Sequence, residues 1–134
     1  MSKDFVCRLP ERSLIRVSGT GSDAFLQEIV TQDIRLLEKT PLVYSCLLTP
    51  QGRFLHDFFI SKDGQGGFLL ECERHRREDL VRRLNIFKLR AKILLEDQDD
   101  IYDVYAASKA LDQARSDPRV KALGYRLYRL KDNN

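Results

Sequence analysis

The chain has 134 residues, 43% of them hydrophobic, with 23 basic against 20 acidic side chains. That length suits one domain with a sizeable core, and a net charge of +3 is too small to make nucleic acid or an anionic membrane the general partner. No run reaches the ~18 to 20 apolar residues of a membrane span, and the polar Met1 to Asp4 start lacks the apolar stretch of a secretory signal.

A soluble protein without a membrane partner is the expectation, in the cytoplasm or, in a eukaryote, in the mitochondrial matrix. Cys7, Cys46 and Cys72 are odd in number and far apart, with no Cys-x-x-Cys pair. They read as reduced, small core hydrophobes, and the sequence predicts no metal site.

Taken in order, Phe5 to Cys7 and Leu14 to Val17 are short apolar runs, and the second has the β-branched alternation of a strand. Gly19 to Asp23 supplies a turn and a helix start with Ser22 or Asp23 as the N-cap. Phe25, Leu26, Ile29 and Val30 then form the apolar stripe of a helix of about two to three turns, closing at Thr31 to Asp33.

Leu42 to Leu48 and Arg53 to Ser61 are the arms of a hairpin around Thr49-Pro50-Gln51-Gly52, where Pro presets φ and Gly tolerates a positive one. Alternation puts Arg53, Leu55, Asp57 and Phe59 on one face of the second arm and Phe54, His56, Phe58 and Ile60 on the other. Asp57 is thus an acid on a partly apolar face, where an ionised carboxylate needs a partner or a ligand. Arg53 or a backbone N–H is one candidate partner; a ligand N–H is the other. His56, between two phenylalanines, reads as a packed histidine, and His75 as an exposed one.

The glycine-rich stretch Lys62 to Gly67 precedes another apolar run, Phe68 to Cys72, rather than a helix. It predicts a hairpin turn and not a phosphate cradle, since a cradle needs a helix to follow. Three strands joined by short turns imply an antiparallel sheet. A helix follows over about Arg76 to Lys88, with Leu80, Val81, Leu84 and Phe87 as its apolar side.

Arg76, Arg77, Arg82, Arg83, Lys88, Arg90 and Lys92 make this the most basic stretch. A phosphate backbone could follow it, but Glu78 and Asp79 interrupt it, and a solvated face is the simpler reading. Ala91 to Leu95 and Ile101 to Ala106 read as strands around the acidic stretch Glu96 to Asp100, which lacks the spacing of a calcium loop and reads as a solvated turn. Ser108 to Arg115 is a short helix or irregular, Asp117 to Arg119 a turn, and Leu123 to Leu130 a strand. Thr40-Pro41 and Glu96 to Asp100 are the best points for the chain to pass between sub-structures.

Several of these segments, in this order, resemble a known pattern. Leu14 to Gly19, Phe25 to Ile34, Tyr44 to Arg53 with Asp57 following, Asp117-Pro118-Arg119 and Leu123-Gly124-Tyr125-Arg126 together look like the N-terminal part of the YgfZ-type folate-binding proteins, relatives of the glycine-cleavage T-protein. The resemblance implies an α+β fold, with an antiparallel sheet and two main helices, as part of a T-protein-like arrangement of sub-domains around a folate. Residues 1–134 would form one folate-binding-type unit, with a sub-structure over 41–100.

By the same resemblance, Asp57, with Arg53 and Tyr44, would contact tetrahydrofolate or a derivative. The partners would be a reduced folate, iron-sulfur client proteins in assembly or repair, and a C-terminal half or second chain. His56 stands where the aminomethyltransferases carry a second aspartate, and the Lys-Gly-Cys and Gly-Gln-Glu signature of the family is absent from these residues. The resemblance therefore implies a binding protein with no catalytic residue in this stretch. The other readings are a folate-dependent aminomethyltransferase-like enzyme and an RNA or protein interaction domain on the Arg76 to Lys92 face.

Overall fold

The arms around Thr49 to Gly52 form the expected hairpin in the computed structural model, which describes residues 5–88, 92–109, 114–119 and 124–131. Strands β3 (Val43–Leu48) and β4 (Phe54–Lys62) are its arms. At the tip, the Gly52 N–H donates to the Thr49 carbonyl (2.9 Å) and the Arg53 N–H to Thr49 Oγ1 (3.0 Å). Gly52 has φ +84° with nothing near its missing Cβ, so backbone conformation alone selects glycine here. A bulge at Leu47/Leu48 offsets the register next to the tip.

Three further strands extend this hairpin into a five-stranded antiparallel sheet of order β3-β4-β5-β2-β6, with β2 at Arg12–Ser18, β5 at Phe68–Glu73 and β6 at Leu94–Asp97. The glycine turn after β4 is a hairpin turn as read. The Asp63 carboxylate accepts the N–H groups of Gln65 (2.7 Å) and Gly67 (2.9 Å), and pairs with Arg16 (2.7 Å).

A single sheet was the expectation, yet the remaining strands form a second one. Their order is β1-β7-β9-β8, from β1 (Val6–Arg8), β7 (Tyr102–Ala107), β8 (Arg115–Ser116) and β9 (Tyr125–Leu130). Apolar residues of β7 and β9 turn to a partner sheet: Val104 and Tyr128 pack on Leu14 and Leu69 of the first sheet. The chain crosses from one sheet to the other at the Glu96 to Asp100 turn.

The other face of the five-stranded sheet carries the main core. Ile15, Val17, Phe58, Ile60 and Leu70 meet Phe25 and Leu26 of helix α1 (Ser22–Ile29) and Leu80 and Leu84 of helix α2 (Arg77–Lys88). Phe58, Phe59 and Ile60 are all buried because β4 is covered on both sides. A short 3-10 helix, Ile34–Glu38, adds Ile34 and Leu37 to that core.

Several local expectations need correction. Helix α1 is capped by Gly21 at φ +83° with no side-chain cap, not by Ser22 or Asp23. The Gly19 to Gly21 turn closes through Ser22 N–H to the Gly19 carbonyl, so the chain is already helical at Ser22. Phe87 is exposed at the end of α2 and does not continue the Leu80 and Leu84 stripe. Cys7 is exposed and Cys46 half-buried, leaving Cys72 alone as a fully packed thiol.

The acidic stretch is not simply solvated: Asp99 accepts from Ser13 (2.8 Å) and Arg74 (2.8 Å), and Asp97 pairs with Arg77 (2.9 Å). The strand start at Ala91 and residues 110–113 of the Ser108 to Arg115 stretch lie outside the described residues.

Candidate functional site

Side chains of β3 and β4 that turn away from the helices face the second sheet. Cross-strand pairing sets Cys46 opposite Asp57 and Tyr44 opposite Phe59 on that face. The Tyr44 hydroxyl reaches diagonally to donate a short hydrogen bond to Asp57 Oδ2, a reach that long aromatic side chains allow. Asp57 Oδ1 has no donor among the described residues. The outcome is a half-buried carboxylate fixed by one oxygen and open at the other.

Burial pushes the Tyr44 phenol up to about 12, helped by its hydrogen bond to Asp57 and the charge of that group, with Arg119 opposing. Tyr44 is therefore a permanent donor at neutral pH. Burial, then the Asp57 charge, also raises the Cys46 thiol. Cys46 stays a thiol, which suits a packing role more than a reactive one.

The second sheet and its approach supply the cations around this face. The Arg119 guanidinium lies over the rings of Phe59 (4.8 Å) and Tyr44 (5.5 Å), and that of Arg126 over Phe59 (5.2 Å). Arg119 is gripped by Asp117, whose carboxylate accepts Nε (3.1 Å), one terminal nitrogen (2.8 Å) and the Arg119 N–H (2.9 Å). Burial works to raise the Asp117 carboxyl, but the Arg119 hydrogen bonds and charge outweigh it and hold it below the ordinary range.

Glu71, fully buried next to Phe59 across β4 and β5, accepts Arg12 (2.6 Å), Arg126 (3.1 Å) and the Tyr128 hydroxyl (3.2 Å). Donors from both sheets thus converge on a single carboxylate.

Of the three residues expected at the cofactor, Tyr44 and Asp57 are joined by a hydrogen bond, and Arg53 stands at the tip of the same hairpin. Arg53 is exposed at the hairpin tip and forms no ion pair with Asp57 among the described residues. Asp57 takes its partner from the neighbouring strand because Tyr44 lies on its diagonal, one pair beyond Cys46 on the same face, whereas Arg53 is exposed at the tip.

His56 faces the opposite way, as alternation requires. It is buried, with Nε2 at 2.7 Å from Asp79 Oδ2 on α2. Burial lowers its pKa, so Nε2–H is the donor and His56 ties helix to sheet. On the basic stretch, Arg82 and Arg83 also pair with Asp79, and Arg77 with Asp97. Much of that charge is thereby neutralised.

Sequence reasoning missed Arg119, Arg126, Asp117 and Glu71 as neighbours of the site. Glu71 did carry a signal, as an acid inside the apolar run Phe68 to Cys72, the same pattern that drew attention to Asp57. Nothing in a turn such as Asp117-Pro118-Arg119 reveals which ring the arginine will cover. Among the described residues, no group of three His, Cys, Asp or Glu side chains could hold a metal.

Two hollows adjoin these elements. One of about 390 Å³ runs beside Tyr44 and Arg119, lined also by Gln32, Leu36, Leu42 and Pro118. A larger one of about 570 Å³ lies between the start of α1 and the glycine turn after β4, and neither Tyr44 nor Asp57 borders it. The smaller hollow matters for the site because it shares Tyr44 with Asp57.

Two packed antiparallel sheets with helices on one outer face define a protein of the aminomethyltransferase T fold. The glycine cleavage system aminomethyltransferase T from Bartonella henselae matches with a TM-score of 0.66 over 76% of this chain and 28% of its own, at 19% identity, a likeness of fold alone. No family model matches the chain.

Curated relatives do match. The iron-sulfur cluster assembly factor IBA57 homolog, mitochondrial, of Pyricularia oryzae is 40% identical over 89% of this chain and 34% of its own length. That of Mycosarcoma maydis is 33% identical over 90% and 35%, and mouse IBA57 is 26% identical over 90% and 41%. The chain belongs to this IBA57, or YgfZ-type, family, as its motifs resemble. It spans about a third of the length of the first two relatives.

Proposed function

We propose that this chain forms the Asp57 side of a reduced-folate site in a YgfZ-type accessory factor that serves iron-sulfur cluster assembly or repair. The observation that carries the reading is the Asp57 carboxylate, pinned by Tyr44 at Oδ2 and open at Oδ1. A reduced pterin is a neutral heterocycle rich in N–H donors, and a fixed, pre-oriented acceptor suits it.

The residues that would hold tetrahydrofolate or a derivative are Asp57 directly and Tyr44 through its grip on Asp57. Arg53, exposed at the hairpin tip, is the third residue that would contact the ligand, from the side of the tip. The iron-sulfur part of the reading rests on the relatives, which are named as cluster assembly factors and as mitochondrial. Those names support a matrix location and iron-sulfur proteins as partners here.

Binding is favoured over one-carbon transfer by His56. At the position where the resemblance sets a second transferase aspartate, this chain has an imidazole turned to the core and committed to Asp79. Calorimetric titration with tetrahydrofolate tests the proposal. Saturable binding is expected, weakened at least about tenfold in Asp57→Ala, as loss of a charge-assisted hydrogen bond requires. No heat or amide shift at millimolar ligand, or equal binding by Asp57→Ala, would overturn it.

A further inference from the structure

The hollow of about 390 Å³ beside Tyr44 has a distinctive lining. Among the described residues Arg119 is the one charged side chain bordering it, Gln32, Thr40 and Tyr44 add neutral polar groups, and Leu36, Leu42 and Pro118 supply apolar wall. Its volume is in the range of small-molecule sites. An apolar hollow with one cation and no acid among the described residues of its lining suits a ligand segment that is flat and apolar with a single anionic end.

Arg119 is unusually prepared for such an end. The buried Asp117 carboxylate holds its Nε and one terminal nitrogen, and the rings of Phe59 and Tyr44 lie beneath the guanidinium plane. The remaining terminal nitrogen, Nη1, has no partner among the described residues, while the side chain is 40% exposed. Guanidinium donors project from a fixed fork, so locking one edge aims the other. The rotamer entropy that an arginine usually loses on binding an anion has largely been lost in folding.

Tyr44 links this hollow to the acid. Its ring borders the hollow while its hydroxyl holds Asp57. We propose that the hollow is a carboxylate subsite, in which Arg119 Nη1 receives the acidic tail of the ligand whose N–H-bearing heterocycle rests on Asp57. A benzoyl-glutamate tail has the required chemistry, a flat apolar ring followed by carboxylate. The identity of the ligand rests on the folate function proposed above; the preference of the hollow for an anion over its neutral isostere does not.

Three probes separate the two ideas: 4-aminobenzoyl-glutamate, its uncharged diamide, and 6-methyl-tetrahydropterin, which has no tail. Each is titrated into the intact chain, Arg119→Gln and Asp57→Asn, followed by amide shifts. The acid is expected to bind the unmodified chain about tenfold or more tightly than the diamide, the factor of one charge-assisted hydrogen bond. Arg119→Gln should erase that difference, and Asp57→Asn should leave it intact while weakening the tetrahydropterin.

Equal binding of acid and diamide to the unmodified chain overturns the subsite, as does a preference that survives in Arg119→Gln or no binding of the acid at all. The acid-to-diamide comparison decides without any variant, so a poorly folding Arg119→Gln does not rescue the idea. A tetrahydropterin indifferent to Asp57→Asn, with the acid preference retained, would sink the folate function and leave the anion subsite standing.

Discussion

Tyr44 sits between two demands: its hydroxyl holds Asp57 and its ring carries Arg119. Removing the hydroxyl alone, in Tyr44→Phe, frees Asp57 Oδ2 to rotate without changing the wall of the hollow. Affinity for tetrahydrofolate is expected to fall about three- to tenfold, the scale of one net hydrogen bond, with the acid-to-diamide preference unchanged. Calorimetry of the variant checks both parts, and an unchanged folate affinity would mean that Asp57 needs no such anchor.

His56 makes a prediction about pH. Its folded pKa lies below the ordinary 6.5 because burial disfavours the charged ring. The unfolded state therefore binds the proton more readily, so the stability linked to His56 is complete above about 6.5 and is lost as pH falls through that value. Thermal melts should show Tm falling between roughly pH 7 and 5, and His56→Gln should flatten that fall. A Tm that rises on acidification over this window would contradict it. Asp79 adds to acid sensitivity at lower pH, since His56, Arg83 and Arg82 hold its carboxyl far below its ordinary range.

Alternation along β4 was sufficient to set Asp57 and His56 on opposite faces, because period two is local geometry. The partner of Asp57 was not legible. Choosing Tyr44 over Arg53 requires the cross-strand register and the bulge at Leu47/Leu48, which no single strand encodes.

At the level of elements, the sheets are joined by Glu71, with Arg12 on its own sheet and Arg126 and Tyr128 on the other. Truncating one partner of a buried, hydrogen-bonded charge cluster strands the rest, so Glu71→Ala is expected to cost about 3 to 5 kcal/mol in urea unfolding. A cost below about 1 kcal/mol would mean that water replaces the carboxylate and that the clasp contributes little.

Gly19 joins the start of α1 to the strand that follows α2. It has φ +106°, and a Cβ there would lie 2.3 Å from the Lys92 carbonyl oxygen. Gly19→Ala combines left-handed strain with a backbone clash and should destabilise by more than about 1 kcal/mol. The longer strands and both helices were readable from hydrophobic period and turn residues, whereas β1 and β8, of three and two residues, were not. The N-cap of α1 was not, because Gly21 takes that position through a tight turn against a segment more than 70 residues away. The second sheet escaped for a related reason: β7 and β9 look like any half-buried strands, and only packing decides which sheet they join.

Across the whole molecule, burial is uneven. The core under α1 and α2 unites residues from five elements and more, whereas the cluster between the sheets has four buried members, Leu14, Leu69, Val104 and Tyr128. Local opening follows such differences in buried contact. Hydrogen exchange should find β2, β4 and β5 the slowest, with β1 and β8 exchanging well before them, and equal protection of β8 and β5 would refute this.

The pairing of β1 with β7, Val6 against Ala107, has a consequence during synthesis. A ribosome adding about 5 to 20 residues per second releases β2 to β5, four neighbours of the larger sheet, long before β7 exists. Strand β1 must therefore wait through roughly a hundred further residues for its neighbour. Through that interval Phe5 and Val6, exposed even in the finished fold, are an apolar segment of the nascent chain without its strand partner, and the smaller sheet closes only after translation has passed β9.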